Sequence, residues 1–294
     1  MKPALIDPYG RPVTNVRISL TPACNLNCIY CHAEGESQAG RLMTTDEIID
    51  IIGAVTRYPI RSVKFTGGEP TLRDDLVEII QAVPSGIESS MTTNGTLLAD
   101  LAYDLKDAGL SRVNISLDTL RNDRYIEITG KDLLSDVLAG IDASLDAGLT
   151  PVKLNVVLLK GINEDELPAF FDYVRGNRDL VLQIIELMNF KNCDSHADLN
   201  GIEDRIASEA TEVLTRRMHH RKKYCVDGAE VEVVRPLHNT EFCAHCNRLR
   251  ITSDGKLKPC LLRSDNEVDI RGKTGTELDE LIQKAVSLRS PFYD

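Results

Sequence analysis

No run of about 18 apolar residues, the length a membrane-spanning helix needs, occurs anywhere in the 294 residues. The stretch from Met1 to Pro12 carries Asp7, Arg11 and three prolines where a secretion signal would need an apolar core. Both absences favour a cytoplasmic protein. An excess of basic residues is missing too: 34 Lys and Arg stand against 45 Asp and Glu, a net charge of -11. That balance argues against nonspecific binding to nucleic acid or to a membrane surface. A small anionic substrate stays open, provided a local basic pocket meets it. Tandem repeats and low-complexity segments are also absent. The Asp-Ala-Gly-Leu stretch that occurs twice, around Gly109 and Gly148, reads as helix-exit chemistry.

What is present first is a length that can bury a substantial core without disulfides. From about residue 15 to 187, short β-branched runs alternate with longer amphipathic stretches, the βα signal of a parallel sheet. Strands are expected at 15–20, 62–66, 88–92, 112–116, 152–157 and 180–187. Helices are expected near 45–56, 75–83, 98–108, 132–147 and 164–174. Six such strands are too few to close an eight-stranded barrel. The expected fold class is therefore α/β, a partial (βα)6 TIM-like barrel with a smaller α+β C-terminal domain and its site at the C-terminal strand ends. The pattern breaks after Met188, which divides the chain into residues 1–190 and 191–294.

Eight cysteines in a chain without a secretion signal suggest metal rather than disulfides. They fall as two tight triplets and two singles, Cys193 and Cys225. Cys24, Cys28 and Cys31, in TPACNLNCIYCHAEG, follow the first expected strand directly. Three thiolates at that spacing can hold three irons of a 4Fe-4S cluster and leave the fourth open to a small molecule. A zinc site recruiting His32, or a loop of unrelated thiols, is the plainer alternative. Thr66-Gly67-Gly68-Glu69-Pro70 ends the second expected strand, and its glycines allow close backbone approach to a ligand. Alone it could be a tight turn.

The second triplet, Cys243, Cys246 and Cys260, lies in FCAHCNRLRITSDGKLKPC. Ser253-Asp254-Gly255 reads as the hairpin turn that returns Cys260 to the other two. A zinc ribbon completed by Cys225 is the alternative to a second cluster. Arg248 and Arg250 share one strand face beside these cysteines, suited to gripping a polyphosphate; a solvated face is the plainer reading.

The first triplet together with GGEP resembles the signature of the radical S-adenosylmethionine (SAM) superfamily. TPACNLNCIYC, FTGGEPTLR, TTNG, RVNISLDTL, KLNVVLLKGIN, IIELM and FCAHCNRLR then run in order over about residues 10–265. That series resembles the GTP 3',8-cyclase (MoaA) family, a lyase family that begins molybdenum cofactor biosynthesis. NRLR is its most discriminating piece.

The resemblance implies a radical SAM fold with 4Fe-4S clusters at Cys24, Cys28 and Cys31 and, as auxiliary cluster, at Cys243, Cys246 and Cys260. It implies SAM contacts from Tyr30, Gly68, Ser116 and Met188, and GTP contacts from Arg17, Lys64, Thr92, Lys153, Arg248, Leu249 and Arg250. Arg17, Arg248 and Arg250 take the catalytic role. A 5'-deoxyadenosyl radical would remove hydrogen from C3' of GTP, and the carbon radical would close on C8 to give (8S)-3',8-cyclo-7,8-dihydroguanosine 5'-triphosphate. Guanine would meet the open iron of the auxiliary cluster. An electron donor such as ferredoxin or flavodoxin and cyclic pyranopterin monophosphate synthase, acting on the product, are the implied partners, and a homodimer is admitted.

The residues themselves add one argument. Arg17, Lys64 and Lys153 each interrupt an otherwise apolar strand, and an unpaired charge aimed into a barrel is costly, so an anionic ligand explains them best. Met188 reads otherwise as ordinary core, and Ser116 and Thr92 as backbone partners. The chain departs from the family's pattern at Gln183, where related enzymes carry arginine, and at its end, Ser290 to Asp294, which lacks a paired glycine tail. Two rival readings stand beside this one. A peptide-modifying radical SAM enzyme would usually have more C-terminal cysteines, and an iron-sulfur or zinc regulatory protein would leave GGEP unexplained.

Overall fold

A computed structural model describes residues 3–36, 40–188, 195–216, 218–237 and 239–292. Cys193 and the division near residue 190 lie outside them. The first half alternates strands β1 (Asn15–Ser19), β2 (Ser62–Thr66), β3 (Glu88–Thr93), β4 (Arg112–Ser116), β5 (Val152–Leu158) and β6 (Leu180–Glu186) with helices. The helices are α1 (Thr45–Val55), α2 (Leu76–Gln81), α3 (Leu98–Asp107), α4 (Asn122–Thr129), α5 (Leu134–Asp146) and α6 (Leu167–Val174). Five of the six helices match the expected segments, and α4 is the addition.

The local reasons are those the sequence announces. Thr44 and Glu47 form a reciprocal capping box that starts α1. Gly109 and Gly148 leave α3 and α5 at φ +100 and +72. Beyond them Leu110 and Leu149 donate their N–H groups to the carbonyls of Leu105 and Ser144, closing Schellman turns.

After Ser195 come α7 (Leu199–Glu209), β7 (Glu212–Thr215), β8 (Lys222–Val226), β9 (Ala229–Val234), α8 (Thr240–Ala244), β10 (Arg248–Ile251), β11 (Lys256–Lys258), β12 (Val268–Asp269) and α9 (Gly275–Ser287). Among the described residues all strands join one sheet, in the order β12-β11-β10-β1-β2-β3-β4-β5-β6-β9-β8-β7. Strands β1 to β6 run parallel, as expected for the partial barrel. The later segment extends both edges, β10 lying parallel to β1 and β9 parallel to β6. The sheet is thereby wider than the six strands read from sequence, and it does not close.

One face of this sheet is apolar and carries the core. Val16, Ile18, Val63, Phe65, Met91, Val113, Ile115, Leu154, Val156, Leu182 and Ile184 are fully buried with helix residues such as Ile48, Ile52, Ile79, Leu105, Ile141 and Phe170. Burial of this kind, at about 25 cal/mol per Å² of apolar surface, is the main source of stability. The alternate residues are polar in β1, β2, β3 and β4 and at Lys153, Asn155 and Gln183 in β5 and β6. Parallel strands buried on both sides read apolar throughout, so this alternation marks the second face as the wall of a lumen. No helix among the described residues is long and apolar enough to cross a membrane.

Candidate active site

The first cysteine loop leaves β1 at the C-terminal edge of the sheet and is fastened from both sides. From α4, which sequence reasoning missed, the carbonyls of Thr129 and Ile128 accept from the N–H groups of Asn27 and Ile29 at 2.9 and 3.0 Å. Within the loop, Leu26 N–H points to Cys24 Sγ and Ala33 N–H to Cys31 Sγ, each at 3.4 Å. No disulfide forms among the described cysteines. Burial pushes the Cys24 and Cys28 thiols above their ordinary range, and the neighbouring carboxylates Glu69 and Asp118 and the other loop cysteines push the same way. Thiolates gathered in such surroundings need a multivalent cation, and soft sulfur donors suit iron. The donor set fits an iron-sulfur cluster.

Gly67 and Gly68 lie hard against the protein's own backbone. A Cβ at Gly67 would lie 2.4 Å from the Thr21 carbonyl oxygen, and one at Gly68 would lie 2.3 Å from that of Ala23. Their lack of side chains is therefore explained by the approach of the cysteine loop itself, whose Thr21 and Ala23 carbonyls accept from Gly68 and Glu69 N–H at 2.6 and 2.7 Å.

Glu69, fully buried, is the joint between strand ends. Its carboxylate accepts from Thr71 N–H and hydroxyl, Thr93 hydroxyl and Asn94 N–H. The Asn94 amide in turn donates to Asn25 at 2.7 Å and faces Cys24 Sγ at 3.9 Å. GGEP and TTNG are thus one scaffold for the cysteine loop.

Tyr30 turns inward and donates to Asp118 at 2.5 Å. Burial raises the Asp118 carboxyl to about 6, against the hydrogen bonds from Tyr30 and Val157 N–H. Asn163 ties the Asp118 and Val157 carbonyls together, so SLDT and KGIN also form a single unit. Tyr30 packs on Ile128, Leu159 and Leu187. Ser116 ends β4 opposite Asn155, and half-buried Met188 follows β6, so both stand at the edge that carries the cysteine loop.

The lumen wall is read from the sheet register. Arg17 lies beside Arg250 on one side and Lys64 on the other; Lys64 pairs with Ser90, Thr92 with Asn114, and Asn114 with Lys153. Arg17, Ser19, Thr66, Arg250 and Lys258 line one cleft. Buried polar atoms of Ser19, Ser90, Asn155 and Arg221 on this wall have no partner, an arrangement suited to a polar ligand.

The premise that the strand cations are unpaired needs correction. Lys153 donates to Glu232 at 2.6 Å, and Lys64 donates to Asn114 at 2.9 Å. Burial first, then Arg112, Arg17, Arg248 and Lys153, pulls the Lys64 ammonium well below its ordinary range. Surplus positive charge, rather than lone charge, is what the wall offers an anion. Leu249 pairs with Val16 on the apolar face and its side chain is fully buried in the core, so strand alternation leaves only its backbone for a ligand in the lumen.

The second triplet stands at the other end of the same strands. Cys24 follows the end of β1, whereas Cys246 precedes the start of β10, which runs parallel to it, and the expected hairpin turn returns the chain along β11. The Arg250–Lys258 register, continued by two residues, sets Cys260 across from Arg248. Although burial opposes it, Arg289, Arg248 and Arg250 lower the Cys246 thiol, as a thiolate ligand requires. Arg11 donates to the Cys243 carbonyl at 2.8 Å and Arg289 to that of Cys246 at 2.6 Å, while Asp7 pairs with both arginines. Cys225 pairs with Glu212 and Glu230 at the end of β8 away from the Met218–His220 turn that meets α8.

Sequence reasoning passed over Arg112, Asn114, Arg216, Arg221 and Glu232. Arg112 and Glu232 carried the signal already applied to Lys64, a charge at inward parity in an apolar strand.

Comparison with known proteins agrees with this architecture. The model of the radical SAM superfamily matches residues 18–174, and that of Molybdenum Cofactor Synthesis C matches 180–294. A "Probable GTP 3',8-cyclase" of Methanocella arvoryzae is 54% identical over 98% of this chain and 94% of its own. One from Archaeoglobus fulgidus is 46% identical over 98% and 99%. Among solved structures, Streptococcus suis SuiB bound to S-adenosylmethionine shares the fold at TM-score 0.64 and 16% identity, covering 94% of this chain and 67% of that one. On the strength of the two family matches and the identity to these relatives over nearly its full length, the chain belongs to the GTP 3',8-cyclase family of radical SAM enzymes.

Proposed function

We propose that the protein converts GTP to (8S)-3',8-cyclo-7,8-dihydroguanosine 5'-triphosphate, the opening step of molybdenum cofactor biosynthesis. The observation that carries this reading is the cationic lumen wall lying between two cysteine triplets at opposite strand ends. Cys24, Cys28 and Cys31 would hold the 4Fe-4S cluster that meets SAM, and Cys243, Cys246 and Cys260 the auxiliary one. When bound, cluster and SAM would together supply a 5'-deoxyadenosyl radical able to take hydrogen from C3' of GTP, and the closure of C3' on C8 would take up one further electron from the reductant and one proton to give the 7,8-dihydro product.

The chain's own residues do the positioning. Tyr30, Gly68, Ser116 and Met188 orient SAM beside the first loop. Arg17, Lys64, Lys153, Arg248 and Arg250 hold the triphosphate, with Thr92 beside them on the wall. Fixing two reacting carbons in place removes much of the entropic barrier. Ferredoxin or flavodoxin delivers the electron, cyclic pyranopterin monophosphate synthase consumes the product, and two copies of the chain pair as a homodimer. Residues 1–190 act as the radical SAM core with the first cluster, and 191–294 as the domain that brings the auxiliary cluster and the substrate-binding arginines Arg248 and Arg250 to it.

Anaerobic incubation of the reconstituted protein with SAM, dithionite and GTP, followed by mass analysis, tests the reaction. Absence of both 5'-deoxyadenosine and cyclised nucleotide would overturn it. About eight irons per chain would support two clusters, and about four with one zinc a ribbon at the second triplet.

A further inference from the structure

On the wall beside β6 one buried carboxylate gathers four groups from three segments of the chain. Glu232 on β9 has no exposed surface. Lys153 Nζ lies 2.6 Å from it, Gln183 Nε2 2.9 Å, Arg216 Nη1 3.1 Å and Arg221 Nη1 3.6 Å. The two arginines are the ends of the loop between β7 and β8, joined by the Arg216 N–H donating to the Arg221 carbonyl at 2.8 Å. Burial alone would raise the Glu232 carboxyl, but Lys153, Arg221 and Arg216 overcome that and hold it at about 2.

The carboxylate faces Arg221, Arg216, whose side chain is 42% exposed, and Lys153, whose ammonium burial pulls down to about 7; the two arginines alone already leave positive charge in excess. An ion cluster whose only purpose was stability would gain by balance, because uncompensated buried charge is expensive. Arg221 adds a second sign: its Nε is buried and has no acceptor. A guanidinium with an unfilled donor, beside surplus positive charge, fits an oxyanion. It also lies within electrostatic reach of Arg17, Arg112 and Arg248, which places it on the same lumen as the residues assigned to the substrate.

We propose that Arg221 is a further substrate-binding residue that takes a phosphate oxygen of the nucleoside triphosphate. Glu232 is the positioning residue that aims it, together with Arg216 and Lys153. The inference rests on the GTP reading above and deepens it.

The test is equilibrium binding to the reconstituted holoenzyme, anaerobic and without reductant, of GTP, guanosine and SAM. The proteins are the wild type, Arg221→Gln, Arg221→Lys and Glu232→Gln. Arg221→Gln weakens GTP by about tenfold or more, the loss of one charged hydrogen bond. Guanosine and SAM affinities and iron content stay within twofold. Arg221→Lys recovers part of the GTP affinity, and Glu232→Gln weakens GTP while sparing guanosine. Unchanged GTP affinity in Arg221→Gln, or an equal loss for GTP, guanosine and SAM, overturns the assignment. A wild type that binds no GTP would instead overturn the cyclase reading itself.

Discussion

The backbone N–H of Asn94 donates a 2.6 Å hydrogen bond to the carboxylate of Glu69, joining the ends of β2 and β3 beneath the first cysteine loop. Three further donors, from Thr71 and Thr93, converge on the same carboxylate. Glu69→Ala strands all four in a buried place, so the variant loses about 3 kcal/mol or more of stability. Because Asn94 also faces Cys24, the loop loosens with it. Denaturant unfolding and iron content, measured anaerobically, check both effects; normal iron loading in a destabilised variant would separate the scaffold from the cysteine loop.

Asp118 carries a pH dependence opposite to that of most carboxylates. Its folded value is about 6, raised by burial, while a free aspartate titrates near 3.8. Between those values the folded chain keeps a proton that the unfolded chain has lost. Stability therefore falls as pH rises through this window, by about 2–3 kcal/mol from this group. Urea unfolding at pH 5 and pH 7.5 should show the decline in the wild type and a flatter profile in Asp118→Asn. Parallel profiles for the two proteins would contradict the assignment.

Arg11, held by Asp7 four residues before it, fastens two distant segments at the second triplet, donating to the Cys243 carbonyl and to the carbonyls of Ser290 and Pro291. Its loss releases the chain end from the cysteine loop. Arg11→Ala should lose about 2–4 kcal/mol and shed iron under a chelator in two stages, with about four of about eight irons leaving early. Single-stage release at the wild-type rate would show that the clamp does not support the second triplet.

The site divides sharply into what local pattern can reveal and what it cannot. Lys64 and Lys153 were visible as charges at inward parity, yet both read as unpaired, since their partners Asn114 and Glu232 stand 50 and 79 residues away. The NRLR string sets Leu249 between two arginines, but in a strand adjacent side chains take opposite faces, and the Leu249 side chain lies in the core.

Sequence by itself determined the chemistry and the local turns: two cysteine triplets whose spacing lets thiols meet one metal cluster, the six βα alternations, and the helix exits at Gly109 and Gly148. Each depends on spacing or periodicity within one short stretch or one hairpin, where chain geometry sets the outcome. Tertiary structure decided that β9 and β10 extend opposite edges of one sheet and that the glycines of GGEP make room for the cysteine loop. It also set three lumen cations around Glu232. Period-two patterning says which face a side chain takes; only the packing of distant strands says what it meets there.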